Sequence, residues 1–221
     1  MSIGAVIVAA GRSTRMGGAD KLLAPLGGRP LIALAAAPFL RHPDVERVVV
    51  VVSDANRAAV VDALGEHGKL EFAAGGERRR DSVLAGLQPL GGCDYAVVHD
   101  GARPLVTRAL IDAALAGARE CGAALCAVPV TDTVKRADEA GLVRGTVSRE
   151  GLWLAQTPQA FRFDVLLRAH REVEGDLTDD AAMVEHLGLP VKLVLGSRRN
   201  LKVTTPEDLA LAEALLAAET P

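Results

Sequence analysis

Eight residues between positions 11 and 21 could do chemistry together: Gly11, Arg12, Ser13, Thr14, Arg15, Gly17, Gly18 and Lys21. They follow directly on the apolar run Ile3–Ala10. Glycines let backbone N–H groups approach an anion, and Arg15 and Lys21 supply countercharge, so the pattern suits a polyphosphate. Two common phosphate loops are excluded. A P-loop needs Ser or Thr after the lysine, and Lys21 is followed by Leu22. The dinucleotide fingerprint needs glycines at offsets that Gly11 lacks. A solvated turn would also carry such cations, but three of them straight after a buried strand favour a triphosphate.

A second cluster is Gly75-Gly76-Glu77-Arg78-Arg79-Arg80-Asp81-Ser82. It too follows a strand and opens a helix. Its glycines allow close approach to a ligand, and Ser82 can donate to a base or cap the helix. Three arginines in a row are as readily a solvated face. A third is His99-Asp100-Gly101-Ala102-Arg103-Pro104. An acid at a strand end before glycine is a natural Mg²⁺ ligand, and Arg103 is a candidate anion clamp. His99 reads as packing. Weaker signals are spread over Thr133, Lys135, Arg149, Gln156–Gln159, Thr178–Asp180 and Arg198–Thr204. Thr178 reads as a helix cap. Lys202, expected in a strand between apolar neighbours, should face something anionic or lie on a sheet edge.

The elements that must position these residues are legible from periodicity. Strand-like runs cover Ala5–Ala9, Val48–Val52, Leu70–Ala73, Ala96–His99, Ala124–Val130 and Val191–Leu195. Helical patterns cover Leu31–Leu40, Asn56–Glu66, Ser82–Leu87, Thr107–Arg119, Asp164–Glu172, Asp179–Leu187 and Pro206–Ala218. Near-continuous apolar strands alternating with helices predict an α/β domain with a mainly parallel sheet covered on both faces. Thr205, Pro206, Glu207 and Asp208 predict a well-capped last helix.

Thr131–Gly151 departs from this pattern: it is charged or small apart from Val134, Leu142, Val143 and Val147. Two short β-like pieces, 133–135 and 146–148, flank a turn at 138–141. A hairpin that cannot bury a core alone is either a loose surface excursion or, the favoured expectation, an arm that packs against a partner subunit. With 221 residues, one domain spanning 1–221 is expected, with its arm at about 132–151. The net charge of −3 gives no general affinity for nucleic acid or an anionic membrane. No apolar run reaches the ~20 residues of a membrane span. The start lacks the basic leader of a signal peptide. Cys93, Cys121 and Cys126 have no pairing or zinc spacing, so the expected location is cytoplasmic.

The motifs AAGRSTRM with Lys21, GGERRRDSV, VHDGARP, PVTDTVKR, GLWLAQTPQAF, LTDDA and NLKVTTPEDL together resemble the 2-C-methyl-D-erythritol 4-phosphate cytidylyltransferase family. The resemblance runs over nearly the whole chain. It implies a Rossmann-like, GT-A-like nucleotidyltransferase fold and a homodimer joined by the β-arm. It implies CTP and a polyol phosphate as substrates and Mg²⁺ as cofactor, held by Asp100. Arg15 and Lys21 match catalytic cations. Ala9, Ala10, Gly11, Gly76, Glu77, Ser82, Asp100 and Gly101 match positions around the nucleotide. Arg103, Thr133, Arg149 and Lys202 match residues that hold the acceptor, with Thr133 and Arg149 reaching across the dimer.

Two positions depart from the family pattern. Ser13 stands where a second glycine is frequent, and Arg199 stands where many members have an acid. Other readings stay open at this stage: a cytidylyltransferase for ribitol 5-phosphate or molybdopterin, or a non-catalytic nucleotide sensor on the same fold.

Overall fold

A computed structural model describes residues 1–11, 20–175 and 177–218. In chain order these form β1 (Ile3–Val8), β2 (Pro25–Leu26), β3 (Arg29–Pro30), α1 (Leu31–Leu40), β4 (Val45–Val52), α2 (Arg57–Leu64), β5 (Leu70–Ala74) and α3 (Arg79–Leu87). Then come β6 (Tyr95–Asp100), α4 (Arg108–Cys121), β7 (Ala123–Pro129), β8 (Val134–Ala137), β9 (Val143–Val147) and β10 (Trp153–Arg162). α5 (Phe163–Glu172), α6 (Asp180–His186), β11 (Lys192–Leu195) and α7 (Pro206–Ala217) complete the chain.

The apolar strands feed two cores. In β4, Val48, Val50 and Val52 join Ile3, Ala5 and Ile7 of β1 in a core under α1, α2, α4 and α7. Val49 and Val51 join Val6 in a second core under α3, α5 and α6. Alternate side chains on a strand point to opposite faces, so a strand serving two cores has no polar face to spare. α4 shows the matching helical spacing, with Leu110, Ile111, Ala114, Leu115 and Ala118 buried. Thr107 caps its start and left-handed Gly122 ends it.

The main sheet has the order β11-β7-β10-β6-β1-β4-β5. β5, β4, β1 and β6 pair in parallel, and β11 pairs in parallel with β7. β10 runs antiparallel between β6 and β7. The chain winds outward in one direction from β1 through β4 to β5, then crosses back to place β6 on the other side. The strand order therefore reverses between β1 and β6, and in such sheets the ligand crevice opens at the carboxyl ends of those two strands.

Most expected elements are present, and α7 starts as predicted: Thr205 and Asp208 cap each other's backbone, with Pro206 in the first turn. Three expectations need correction. β10, a central strand, was not among the predicted strands, because Gln156, Thr157, Pro158 and Gln159 interrupt its apolar run and its pairing with β7 shifts there. Asp179, not Thr178, caps α6, its side chain accepting the Ala182 N–H. Residues 201–204 are not a strand: Lys202 lies in an irregular segment, which the N–H of Val203 fastens to the Ala102 carbonyl at 2.8 Å.

Candidate active site

At the carboxyl ends of β1 and β6 lies a cleft of about 1030 Å³. Ala9, Ala10, Gly11, Lys21, Gly76, Glu77, Ser82, Asp100 and Lys202 all line it, as do Ser53, Asp54 and Arg79. A smaller cavity of about 260 Å³ adjoins it, sharing Arg79, Asp100 and Lys202 and adding Arg103, Gln156, Thr157, Gln159, Thr178 and Asp179. Two compartments meeting at one group of charges suit a reaction between two bound molecules.

The shared group is an acid ringed by cations. Asp100 ends β6 and is buried. Lys202 Nζ lies 2.9 Å from its Oδ2, Arg103 Nε 3.6 Å from the same oxygen, and Arg79 Nη2 3.7 Å from its Oδ1. Burial alone would push the carboxyl up, but Lys202 and Arg79, then Arg103, outweigh it and hold Asp100 well below the usual carboxylate range. The group is a carboxylate with a net cationic surround.

The three consecutive arginines have three separate destinations. Arg78 folds onto Asp81, 2.9 Å away, and the pair closes a capping box at the start of α3. Arg80 donates to the carbonyls of His170 (3.0 Å) and Gly175 (2.7 Å). Arg79 turns into the site: Nη1 lies 2.8 Å from Asp180 Oδ2. Asp180 is fully buried and its other oxygen meets His170 Nε2 at 3.0 Å. Burial opposes the Asp180 charge, yet Arg79 and His170 hold the carboxyl below its ordinary value.

A buried hydrogen-bond chain sets Asp100 and Arg103 in place. The Asp100 N–H donates to Thr157 Oγ1 (3.0 Å), which lies 3.0 Å from His99 Nδ1. His99 Nε2 lies 3.1 Å from the Arg103 carbonyl. The carbonyl can only accept, so Nε2 carries the proton, and the Thr157 hydroxyl donates to Nδ1. Burial lowers the His99 pKa to about 4 and keeps the ring neutral. Asn200, fully buried, donates to the Thr157 carbonyl (2.8 Å) and offers its own carbonyl to Arg103 Nη1 (2.7 Å).

The other predicted residues fall as follows. Arg15, with Arg12 and Ser13, lies outside the described residues. Gly101 does not line the cleft: its N–H donates to the Val8 carbonyl at 3.0 Å, and a Cβ would come 2.9 Å from Ile32 and 3.0 Å from that carbonyl. Gly75 and Gly76 are small because Ala10 and Asp81 crowd them, with a Cβ on either coming within 2.3 Å and 2.4 Å respectively. Ser82 does not cap α3; it accepts the Gly76 N–H at 3.2 Å and closes the preceding loop. Thr133 and Arg149 are exposed on and beside the β8–β9 hairpin and line neither cavity. Arg149 donates to the Thr131 carbonyl of its own chain. Arg199 donates to Leu215 near the end of α7, away from the cleft.

Ser53, Asp54 and His170 carried no assignment from the sequence, and Thr157 and Asn200 only a weak signal. For Ser53 and Asp54 a signal existed, since they follow a parallel strand at its carboxyl end. The other three are buried partners whose role only the tertiary contacts reveal.

Residues 3–218 match the family model of IspD, 2-C-methyl-D-erythritol 4-phosphate cytidylyltransferase. A protein of that name from Dehalococcoides mccartyi is 46% identical over 217 residues, covering 97% of this chain and 96% of the relative. The chain belongs to the IspD family. A bifunctional IspD/IspF enzyme of Desulforudis audaxviator is 50% identical over 220 residues, which make up 56% of that longer protein. Among solved structures, the 2-C-methyl-D-erythritol 4-phosphate cytidylyltransferase of Thermus thermophilus superposes with a TM-score of 0.81 at 35% identity, covering 98% of this chain and 100% of that one. The fold seen here is thus the fold of the IspD family, with the cleft at its strand-order switch.

Proposed function

We propose that the cleft between β1 and β6 transfers a cytidylyl group from CTP to 2-C-methyl-D-erythritol 4-phosphate, releasing pyrophosphate, as a step of isoprenoid precursor synthesis. The observation that carries this reading is the meeting of the two cavities at Asp100, Lys202 and Arg79. The larger cavity takes the nucleotide, along Ala9–Gly11 and Gly76–Ser82. The smaller, with Arg103, takes the acceptor.

The step needs no protein nucleophile. An oxygen of the acceptor phosphate attacks the α-phosphorus of CTP, and the bond from that phosphorus to the β-phosphate oxygen breaks in line. The electron pair leaves with pyrophosphate. Catalysis is then positioning and charge stabilisation. Lys21 and Arg15 take the developing charge of the leaving group, and Lys202 and Arg103 neutralise and orient the attacking phosphate.

Asp100 fits a divalent cation: it is a hard oxygen donor, held ionised, at the junction of the cavities. Among the described residues no three His, Cys, Asp or Glu side chains cluster for a metal, so substrate phosphate oxygens and water would complete the shell. Mg²⁺ bound there would supply Lewis-acid stabilisation of the phosphate charge.

The arm is the dimer contact in this reading, and Thr133 and Arg149 serve the partner's acceptor site. Their exposure, and their absence from the lining of both cavities of their own chain, support this. No helix among the described residues is long and apolar enough to cross a membrane, and three free thiols suit the reducing cytoplasm.

Pyrophosphate release, coupled to pyrophosphatase, tests the assignment with CTP, Mg²⁺ and each candidate acceptor. Turnover is expected with 2-C-methyl-D-erythritol 4-phosphate. Turnover with ribitol 5-phosphate or molybdopterin instead would overturn the acceptor, and CTP binding without release would restore the sensor.

A further inference from the structure

The two ends of the basic loop are joined through a single buried amide. Asn56, 5% exposed, stands just before α2. An asparagine at that place normally caps the helix by accepting a backbone N–H of its first turn, but Asn56 makes no such bond. Its side chain turns toward the cleft. Oδ1 accepts from the N–H and the hydroxyl of Ser53 at 2.9 and 3.0 Å. Nδ2 donates to the Ala9 carbonyl at 2.9 Å and to Asp20 Oδ2 at 2.8 Å. All the hydrogen-bonding capacity of the amide is used, and the reverse orientation would set its oxygen against a carbonyl and a carboxylate.

Ala9 lies just before the loop and Asp20 just after it. The second oxygen of Asp20 accepts the Leu22 N–H at 3.0 Å, and its carbonyl accepts the Leu23 N–H at 3.0 Å, forming the turn that begins with Lys21. One side chain therefore fixes where the chain enters the loop, where it returns, and how the Lys21 turn sits on the end of β4.

We propose that Asn56 and Asp20 are a positioning pair that places Lys21 on the polyphosphate. The inference rests on the reading of Lys21 as a charge-stabilising residue. A misplacement of about 1 Å of such a group costs on the order of 100-fold in rate.

The test is a reciprocal exchange read by steady-state kinetics of pyrophosphate release. Asn56→Asp sets a carboxylate against Asp20 and the Ala9 carbonyl, and kcat is expected to fall roughly 10–100-fold, with the KM for the acceptor unchanged. Adding Asp20→Asn restores a bond between the two positions with donor and acceptor exchanged, and kcat is expected to recover at least in part. Combining Asn56→Asp with Lys21→Ala is expected to lose no more than Lys21→Ala alone, because both act through one ammonium group. Should Asn56→Asp fail to fold, Asp20→Asn alone is set against Lys21→Ala in the same cycle. Wild-type kcat in Asn56→Asp, multiplying losses, or an exchange that recovers nothing would overturn the pair. Wild-type turnover in Lys21→Ala would instead overturn the reading of Lys21, and the placement role with it.

Discussion

Lys202 Nζ and Asp100 Oδ2 stand 2.9 Å apart, the closest of the three cation contacts which that carboxylate makes among the described residues. Asp100 ends a central strand, whereas Lys202 comes from the irregular segment before α7. Their contact therefore fastens the C-terminal part of the chain to the strand-order switch. Lys202 remains about two-fifths exposed in its side chain while Asp100 is mostly covered, so the ammonium faces open cleft as well as its partner. Lys202→Ala should lower kcat about 10²–10³-fold, the cost of one charge-stabilising donor. Pyrophosphate release under saturating CTP measures it. A loss confined to KM would mean that Lys202 serves binding alone.

The Arg79–Asp180–His170 group makes a second prediction. Asp180 is fully buried, with one oxygen on each partner. Removing one member of a buried ion pair strands the other, at a cost of about 3–5 kcal/mol. Asp180→Ala should lose stability on that scale in urea unfolding. It should also lower turnover, because Arg79 loses the anchor that holds it near Asp100. Arg79→Met removes the cation at the cleft and leaves the Asp180 carboxylate paired with His170 alone. It should reduce activity as strongly and, because it strands a fully buried carboxylate, destabilise on the same scale.

Much of the framework was legible because it rests on local chemistry. The strand run Val48–Val52 announces burial on both faces, and the Thr205–Asp208 box announces a helix start. Gly11 and Lys21, singled out by residue type and order alone, both line the cleft. What stayed hidden depends on contacts between distant segments. Asp180 read as a first-turn acid of α6, since nothing local marks it as the counterion of Arg79. Asn56 read as a helix start, because its true partners, Ala9 and Asp20, lie across the sheet. β10 escaped because the polar residues Gln156, Thr157 and Gln159, which serve the smaller cavity and its supports, break the strand's apolar signature.

Burial of His99 makes a prediction about pH. Its folded pKa is lowered to about 4 from 6.5, so between those values the unfolded chain binds a proton that the folded chain refuses. Stability then rises with pH across that window and falls as the solution is acidified from 6.5 toward 4. The full effect is on the order of 3 kcal/mol. Urea unfolding of the metal-free protein at several pH values measures it. An NMR titration should show the His99 ring neutral at pH 5, and a ring that gains its proton near pH 6.5 would refute the neutral Thr157–His99–Arg103 chain.

The proposed dimer contact makes a prediction about assembly. Leu142 and Val143 are 59% and 62% exposed on the β8–β9 hairpin, and Leu154 is 55% exposed on β10 beside its root. Large side chains so displayed on a segment with no core of its own mark a contact surface. Nearly every residue of the hairpin is exposed, so its shortening removes little from either core. Deleting Ala137–Arg144 should therefore give a folded protein that sediments as a monomer, against a dimer for the intact chain. Turnover should fall with the dimer, because Thr133 and Arg149 reach neither cavity of their own chain. Mixing an Arg149→Ala variant with a Lys21→Ala variant discriminates further. If Arg149 serves the partner's site, mixed dimers pair one intact site with one doubly damaged site and regain part of the lost activity. Absence of any recovery after subunit exchange, with dimers present, would place the work of Arg149 in its own chain.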